Sequence, residues 1–238
     1  MTKAWFDFDV RNDPVFNEII KPFIIDQMKD MELYDRKRQA VKPDIKYIFH
    51  EHAERVAQDV KGVAARLGQP EHVQEAMYWA MLAHDLGKKT LPIEIWDSEE
   101  KPTGEVKSMR RSHAERGLAI LDEKLPGLEH PFMDLMRDVM NNHHENMDGS
   151  GHHGLKAEEI SIPVRLCCIV ESYDGYTIPR PHFGDRDISP RAVLEKMRVE
   201  PDKGAKMFDM DLFNVFEKMK LEGQSPAPTT TKAPGMKG

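Results

Sequence analysis

Long apolar runs are missing from this chain, and none approaches the ~18 residues that a membrane-spanning helix needs. No membrane association is therefore expected. The N-terminus, MTKAWFDFDVRNDP, carries acids and lacks an apolar segment, so no secretory leader is expected either. Cysteine is scarce. The two present, Cys167 and Cys168, are adjacent and have apolar neighbours. Adjacent cysteines make a poor staple, which argues against a disulfide scaffold and for reduced core residues in a cytoplasmic protein. Positive charge is in deficit: 34 Lys and Arg stand against 41 Asp and Glu, a net charge of −7. Extended nucleic-acid binding is not expected, because duplex binders carry a basic excess. A small anionic substrate stays compatible, since a local cationic site can sit within an acidic protein.

What is present is helix. Apolar residues recur at helical spacing from Ile45 to about Met219, and strand-like alternation is nearly absent, so the fold is expected to be all-α. Residues 1–44 hold one further helical pattern and read as an N-terminal extension, able to pack on the core or to mediate a homodimer. Pro22 falls inside that pattern and is expected to break or kink it. Residues 220–238, ending EGQSPAPTTTKAPGMKG, have no periodicity and read as a disordered tail.

The histidines fall on the apolar faces. His52 shares a stripe with Val56, Val60, Val63 and Leu67, with Gly68 suited to the C-terminal cap. His50 points elsewhere, toward solvent. The stripe Val73, Met77, Ala80 and Met81 ends at His84, Asp85 follows, and Gly87 can stop the helix. His113 shares a face with Gly117, Ile120 and Leu121. His143 follows Phe132, Met136, Val139 and Met140, with His144 one step round. Glu171 lies with Val164, Cys167 and Cys168 in a segment that composition alone would also allow as a short strand; its length and context favour helix. One inward histidine is ordinary. Five imidazoles and two carboxylates are not, because buried charge is costly unless paired or bound to a metal. No inward Lys or Arg is expected to neutralise Asp85 and Glu171. A divalent metal centre removes the cost, and this donor set suits Fe, Mn, Ni, Co or Zn.

HAERVA (52–57), AHDLGK (83–88), SHAERG (112–117), NHHENMDGSG (142–151), IPVRLCCIVESYDGYT (162–177) and RPH (180–182) resemble, in order, the motifs of the HD-domain superfamily. The closest branch is the HD-GYP group of cyclic di-GMP phosphodiesterases, and the resemblance covers roughly residues 45–217. It implies an HD-domain helical bundle over 45–219 and a binuclear site. One metal would take His52, His84, Asp85 and Glu171. The other would take Asp85 as a bridge, His113, His143 and His144. Lys88 would contact the scissile phosphate or activate water, and Arg180 is a candidate phosphate clamp. The implied substrate is cyclic di-GMP or a related small nucleotide, hydrolysed by a hydroxide shared between two metals ~3.5–4 Å apart. Asp85 would hold that pair together.

Several positions depart from the family pattern. GYP stands as Gly151-His152-His153, and the family's aspartate is Glu171. Ile48 replaces a glutamate that supports a third metal in some members, and His182-Phe183 lacks the usual basic neighbour. Glu145 and Asp174 are candidates to orient metal-bound imidazoles. Asp148 is expected to shape a turn, Lys89 to be solvated, and His130 to be a surface or loop residue. Two other readings remain open at this point: a non-hydrolytic nucleotide-binding or protein-interaction module, and a di-iron oxygenase.

Overall fold

A computed structural model describes residues 4–98, 100, 102–179 and 184–222, which are helical and contain no strand. The chain enters through a π-helical turn, Phe16–Ile20, and runs directly into α1, Lys21–Val41. Pro22 does not break the helical path, but the regular α-helix gives way to the π-helical turn just before it. The missing N–H of the proline falls where the π turn passes into α1, and that wider turn makes room for the ring.

Helix α1 buries Ile24, Gln27, Met31, Tyr34, Asp35 and Arg38, one face at spacings of three and four. Asp35 and Arg38 are fully buried and pair at 2.6 Å. The guanidinium also reaches Asp97 at 2.6 and 2.9 Å and lies 3.8 Å from the centre of the Phe49 ring. His50 was expected in solvent. Instead, its backbone and ring nitrogens both lie 2.9 Å from Asp35 Oδ2. Lys89 is likewise not solvated, because its ammonium donates to Gln27 at 2.8 Å and lies 3.2 Å from Asp30.

Helices α2, Phe49–Arg66, and α3, Glu71–Leu82, form a hairpin joined by a short loop in which Gly68 takes φ +69°. A 3₁₀ turn, Leu86–Thr90, follows α3, and then α4, Gly104–Arg111, α5, His113–Lys124, and α6, Pro131–Asn142. His130 lies in the loop before α6, in keeping with the expectation, but its side chain is engaged rather than free. It caps α6 by accepting from Phe132 N–H, and its other nitrogen meets Asp13 at 3.1 Å. Residues Ile162–Thr177 form helix α7, not a strand, with Ser161 accepting from Val164 N–H at its start. Helices α8, Pro190–Val199, and α9, Met210–Leu221, close over α7.

Phe16, Ile20, Ile24 and Met31 share one apolar core with α2, α3, α6 and α7. The N-terminal segment is thus packed on the bundle. Helix α9 runs to Leu221, slightly past the expected start of the tail, and residues 223–238 lie outside the described residues. No described helix is long and apolar enough to cross a membrane.

Candidate metal centre

Helix α3 stops at Leu82, two residues before the histidine, so His84 and Asp85 stand in a turn rather than on a helix face. Consecutive residues on a helix point about 100° apart; in the turn, the His84 imidazole and the Asp85 carboxylate meet at 3.2 Å. Gly87 was expected to end the helix. Its role is to give space: a Cβ there would lie 1.9 Å from the His113 carbonyl oxygen and 2.6 Å from Gly117 N. The bare glycine lets the first turn of α5 press against the 3₁₀ turn, which delivers His113 to Asp85.

Around Asp85 the predicted side chains converge. Oδ2 lies 3.4 Å from His52 Nε2 and 3.2 Å from His84 Nε2. Oδ1 lies 3.2 Å from His113 Nε2 and 3.8 Å from His143 Nε2. His144 faces Glu171 at 3.7 Å. Donor atoms of His52, His84, Asp85 and Glu171 lie within 4.8 Å of one another, and so do those of His113, His143 and His144. Asp85 presents one oxygen to each group.

The hydrogen bonds behind the imidazoles define what they offer in front. His52 Nδ1 donates to Asp174 at 2.6 Å, His84 Nδ1 to Met81 O at 2.6 Å, and His113 Nδ1 to Arg110 O at 2.6 Å. His143 Nδ1 donates to Val139 O and Met140 O, at 3.1 and 3.0 Å. A neutral imidazole that donates from Nδ1 carries a lone pair on Nε2. In their neutral forms all four Nε2 atoms therefore point lone pairs inward. His113 Nε2 and His143 Nε2 face each other at 3.0 Å, and His52 Nε2, His84 Nε2 and Asp85 Oδ1 are buried without a partner. Acceptors aimed at acceptors in a dry interior repel, and a cation between them turns that repulsion into bonding. The donor set thus fits the Fe, Mn, Ni, Co or Zn expected from the sequence.

In the metal-free chain His84 stands apart from His143 and His144: burial lowers it, but the Asp85 carboxylate outweighs burial and raises it, so it holds a proton that a cation would displace. Burial works against ionising Asp85, but the charges of His84 and Lys88 outweigh it and hold the carboxyl well below its usual range. Burial lowers His143 far below the ordinary imidazole value, helped by His84 and His113. His144 is also held low by desolvation, with His143 and His113 adding to it. Neutral imidazoles are what a metal requires.

Lys88 corrects one expectation. An inward cation does exist: the Lys88 ammonium is buried, pairs with Asp85 Oδ2 and lies over the rings of Tyr47 and Phe49. Its pairing with Asp85 raises its own pKa despite burial, so it stays charged. A single lysine does not answer both carboxylates and four inward lone pairs. Asp174 accepts from His52 and also from Arg55 at 2.6 and 3.0 Å, which holds its carboxyl down at about 2 against the effect of burial. Glu145 serves the loop instead of an imidazole, accepting from His153 N–H at 2.5 Å and Leu155 N–H at 2.8 Å. Asp148 closes its turn on Ser150. Cys167 and Cys168 are free and buried, and Cys168 donates to the carbonyls of His143 and Glu145. Arg180 and its neighbours 181–183 lie outside the described residues. Sequence reasoning missed Tyr47, Lys107, Arg110 and Arg111, which line the cleft outside the centre. Basic residues at 107, 110 and 111 were the available signal.

A family profile described as HD domain matches residues 43–207, and the chain belongs to that family. Among curated proteins it is similar to the 3'3'-cGAMP-specific phosphodiesterase 1 of Vibrio cholerae serotype O1. Identity is 28% over 166 residues, covering 69% of this chain and 36% of the relative. It is also similar to a probable cyclic di-GMP phosphodiesterase of the same organism, 30% identical over 135 residues, covering 52% of this chain and 31% of the relative. The chain thus spans about a third of the length of these relatives. Among solved structures, an HDG"Y"P protein of Bdellovibrio bacteriovorus shares the fold with TM-score 0.60 and 14% identity, over 88% of this chain and 66% of that one.

Proposed function

We propose that this chain is a metal-dependent phosphodiesterase acting on a cyclic dinucleotide, cyclic di-GMP or a close relative, in the cytoplasm. The observation that carries the reading is the inward convergence of the Nε2 lone pairs of His52, His84, His113 and His143 on the two oxygens of Asp85. In this reading two divalent transition metals are held, one by His52, His84, Asp85 and Glu171, the other by Asp85, His113, His143 and His144. Ile48, where a further carboxylate would stand, is buried and has no donor, in keeping with two metals rather than three. When bound, such a pair supplies Lewis-acid polarisation of a phosphoryl oxygen and activation of water.

The chain's own residues do the rest. Lys88, charged and clamped by Asp85, sits at the floor of the cleft and meets the negative charge that develops on the phosphoryl oxygens. Asp174 and the carbonyls of Met81 and Arg110 lock the imidazoles in the tautomer that presents Nε2. Tyr47, His144 and Glu171 line both of two cavities that adjoin the centre, which leaves room beside it for an extended ester. Arg180 is proposed as a second phosphate clamp.

The test is elemental analysis of anaerobically purified protein, followed by a phosphoester panel on the same sample. Two equivalents of transition metal and hydrolysis of a cyclic dinucleotide are expected, both lost in His84→Ala and Asp85→Ala. A metal-replete protein that hydrolyses no phosphodiester would overturn the reading.

A further inference from the structure

Two cavities of similar size adjoin the centre, share Tyr47, His144 and Glu171, and differ in their basic residues. One, of about 270 Å³, is lined by Asn146, Ser172 and Tyr176 and by the carboxylates Glu145 and Glu171, with no lysine or arginine among its described lining. The other, of about 260 Å³, is lined by Lys88, Lys107, Arg110 and Arg111, with His113, His144 and Glu171 at its inner edge. In an acidic protein this concentration of positive charge on one side needs a cause.

The fold does not provide one. Arg36, Arg55, Arg66, Arg137, Arg165 and Arg198 each pair with a carboxylate. Lys107 and Arg111 do not: among the described residues neither side chain has a hydrogen bond or ion pair. They lie four apart on α4, so they share one face and repel each other. Arg110 beside them is fixed by the carbonyls of Ile95 and Trp96 and lies over the Trp96 ring, which holds its charge at the cleft wall. Uncompensated like charges converging on a cleft are the electrostatic signature of an anion site, and guanidinium groups favour phosphate.

We infer that the cleft lined by Lys107, Arg110 and Arg111 receives a second, non-scissile phosphate of the substrate, so that the protein selects dinucleotides over esters bearing a single phosphate. This rests on the phosphodiesterase reading. With one phosphate at the metal centre, the other lies on the α4 side, and the base and sugar face the cavity that has no lysine or arginine among its described lining. The shared chemistry is a phosphate one nucleotide away, either the opposite phosphodiester of a ring or the 5′-phosphate of a linear dinucleotide.

The experiment compares the metal-loaded full chain with a K107A/R111A variant on cyclic di-GMP, on the linear dinucleotide pGpG and on bis(p-nitrophenyl) phosphate, which has one phosphate. The ratio of kcat/KM for either dinucleotide over the single-phosphate ester is expected to fall at least tenfold, chiefly through KM, with partial recovery in K107R/R111K. A ratio changed less than twofold overturns the inference. A second readout needs no turnover: calorimetric titration of metal-free protein with pGpG should show affinity that weakens with salt and falls at least tenfold in K107A/R111A. Equal affinities of the two proteins, or no binding by either, overturn it as well. If the wild-type chain binds pGpG through these residues yet hydrolyses none of the three esters, the phosphodiesterase reading fails while the anion site stands.

Discussion

Asp85 is the residue on which most depends, because it is the partner of both a buried ammonium and a ring of imidazoles. Removing one member of a buried ion pair leaves the other uncompensated, at a cost of about 3–5 kcal/mol. Asp85→Ala is therefore expected to destabilise the metal-free chain by that amount, measured by urea unfolding in the presence of a chelator. Asp174 acts one shell out. Without it His52 loses the acceptor that fixes its tautomer, and metal affinity is expected to fall about 10–100-fold in Asp174→Asn, read by competition with a chromophoric chelator. Its carboxyl also makes a pH prediction. The folded value, about 2, lies below the ordinary 3.8. The stability it contributes is therefore present above about pH 4 and lost as pH falls through 2. The unfolding free-energy gap between wild type and Asp174→Asn should narrow by about 2 kcal/mol between pH 5 and pH 2. A gap that stays constant with pH would remove Asp174 from this role.

At the scale of elements, the decisive contact is between the 3₁₀ turn and α5. Gly87→Ala would drive a methyl group into backbone, at 1.9 Å from the His113 carbonyl oxygen, and backbone cannot rotate away. Gly117→Ala meets only the Cε of Met140, at 2.6 Å, a flexible side-chain end. We expect Gly87→Ala to cost about 1–3 kcal/mol or more and to lower metal content, and Gly117→Ala to be mild on both counts. Thermal melts and metal analysis of the two variants decide it. Helical periodicity made the core faces of α2, α3, α5, α6 and α7 legible in the sequence, and with them His52 and His113. His84, His143 and His144 instead follow the ends of α3 and α6, where the stripe gave the direction but not the turn that carries them. The function of Gly87 was not legible. A close approach to a helix thirty residues away leaves no mark on local spacing. The same holds for the pairing of Arg38 with Asp97 and for Lys88, whose inward turn is set by Asp85 and the aromatic rings around it rather than by any periodic pattern.

At the scale of the molecule, the first 44 residues were set apart by composition, yet Ile20, Ile24 and Met31 are fully buried in the common core. Tyr34 donates to Leu91 O just beyond the 3₁₀ turn, and Lys89 within it reaches back to α1. We propose that this segment, although outside the HD-domain match, is part of the cooperative unit. Arg38→Ala, which takes the guanidinium from buried Asp35 and leaves it His50 alone, should cost about 3 kcal/mol, and deletion of residues 1–44 should leave a chain without a cooperative thermal transition. A truncated chain melting as sharply as the full one would restore the boundary. The proposed ligands are spread from His52 to Glu171 and come together only when α2, α5, α6 and α7 have all docked against the turn after α3. A ribosome-bound fragment ending before α7 lacks a donor and must wait. A captured ion would consequently report completion of assembly and act as a late latch on the finished bundle, and metal starvation would be felt first as shortened protein lifetime rather than as slowed turnover.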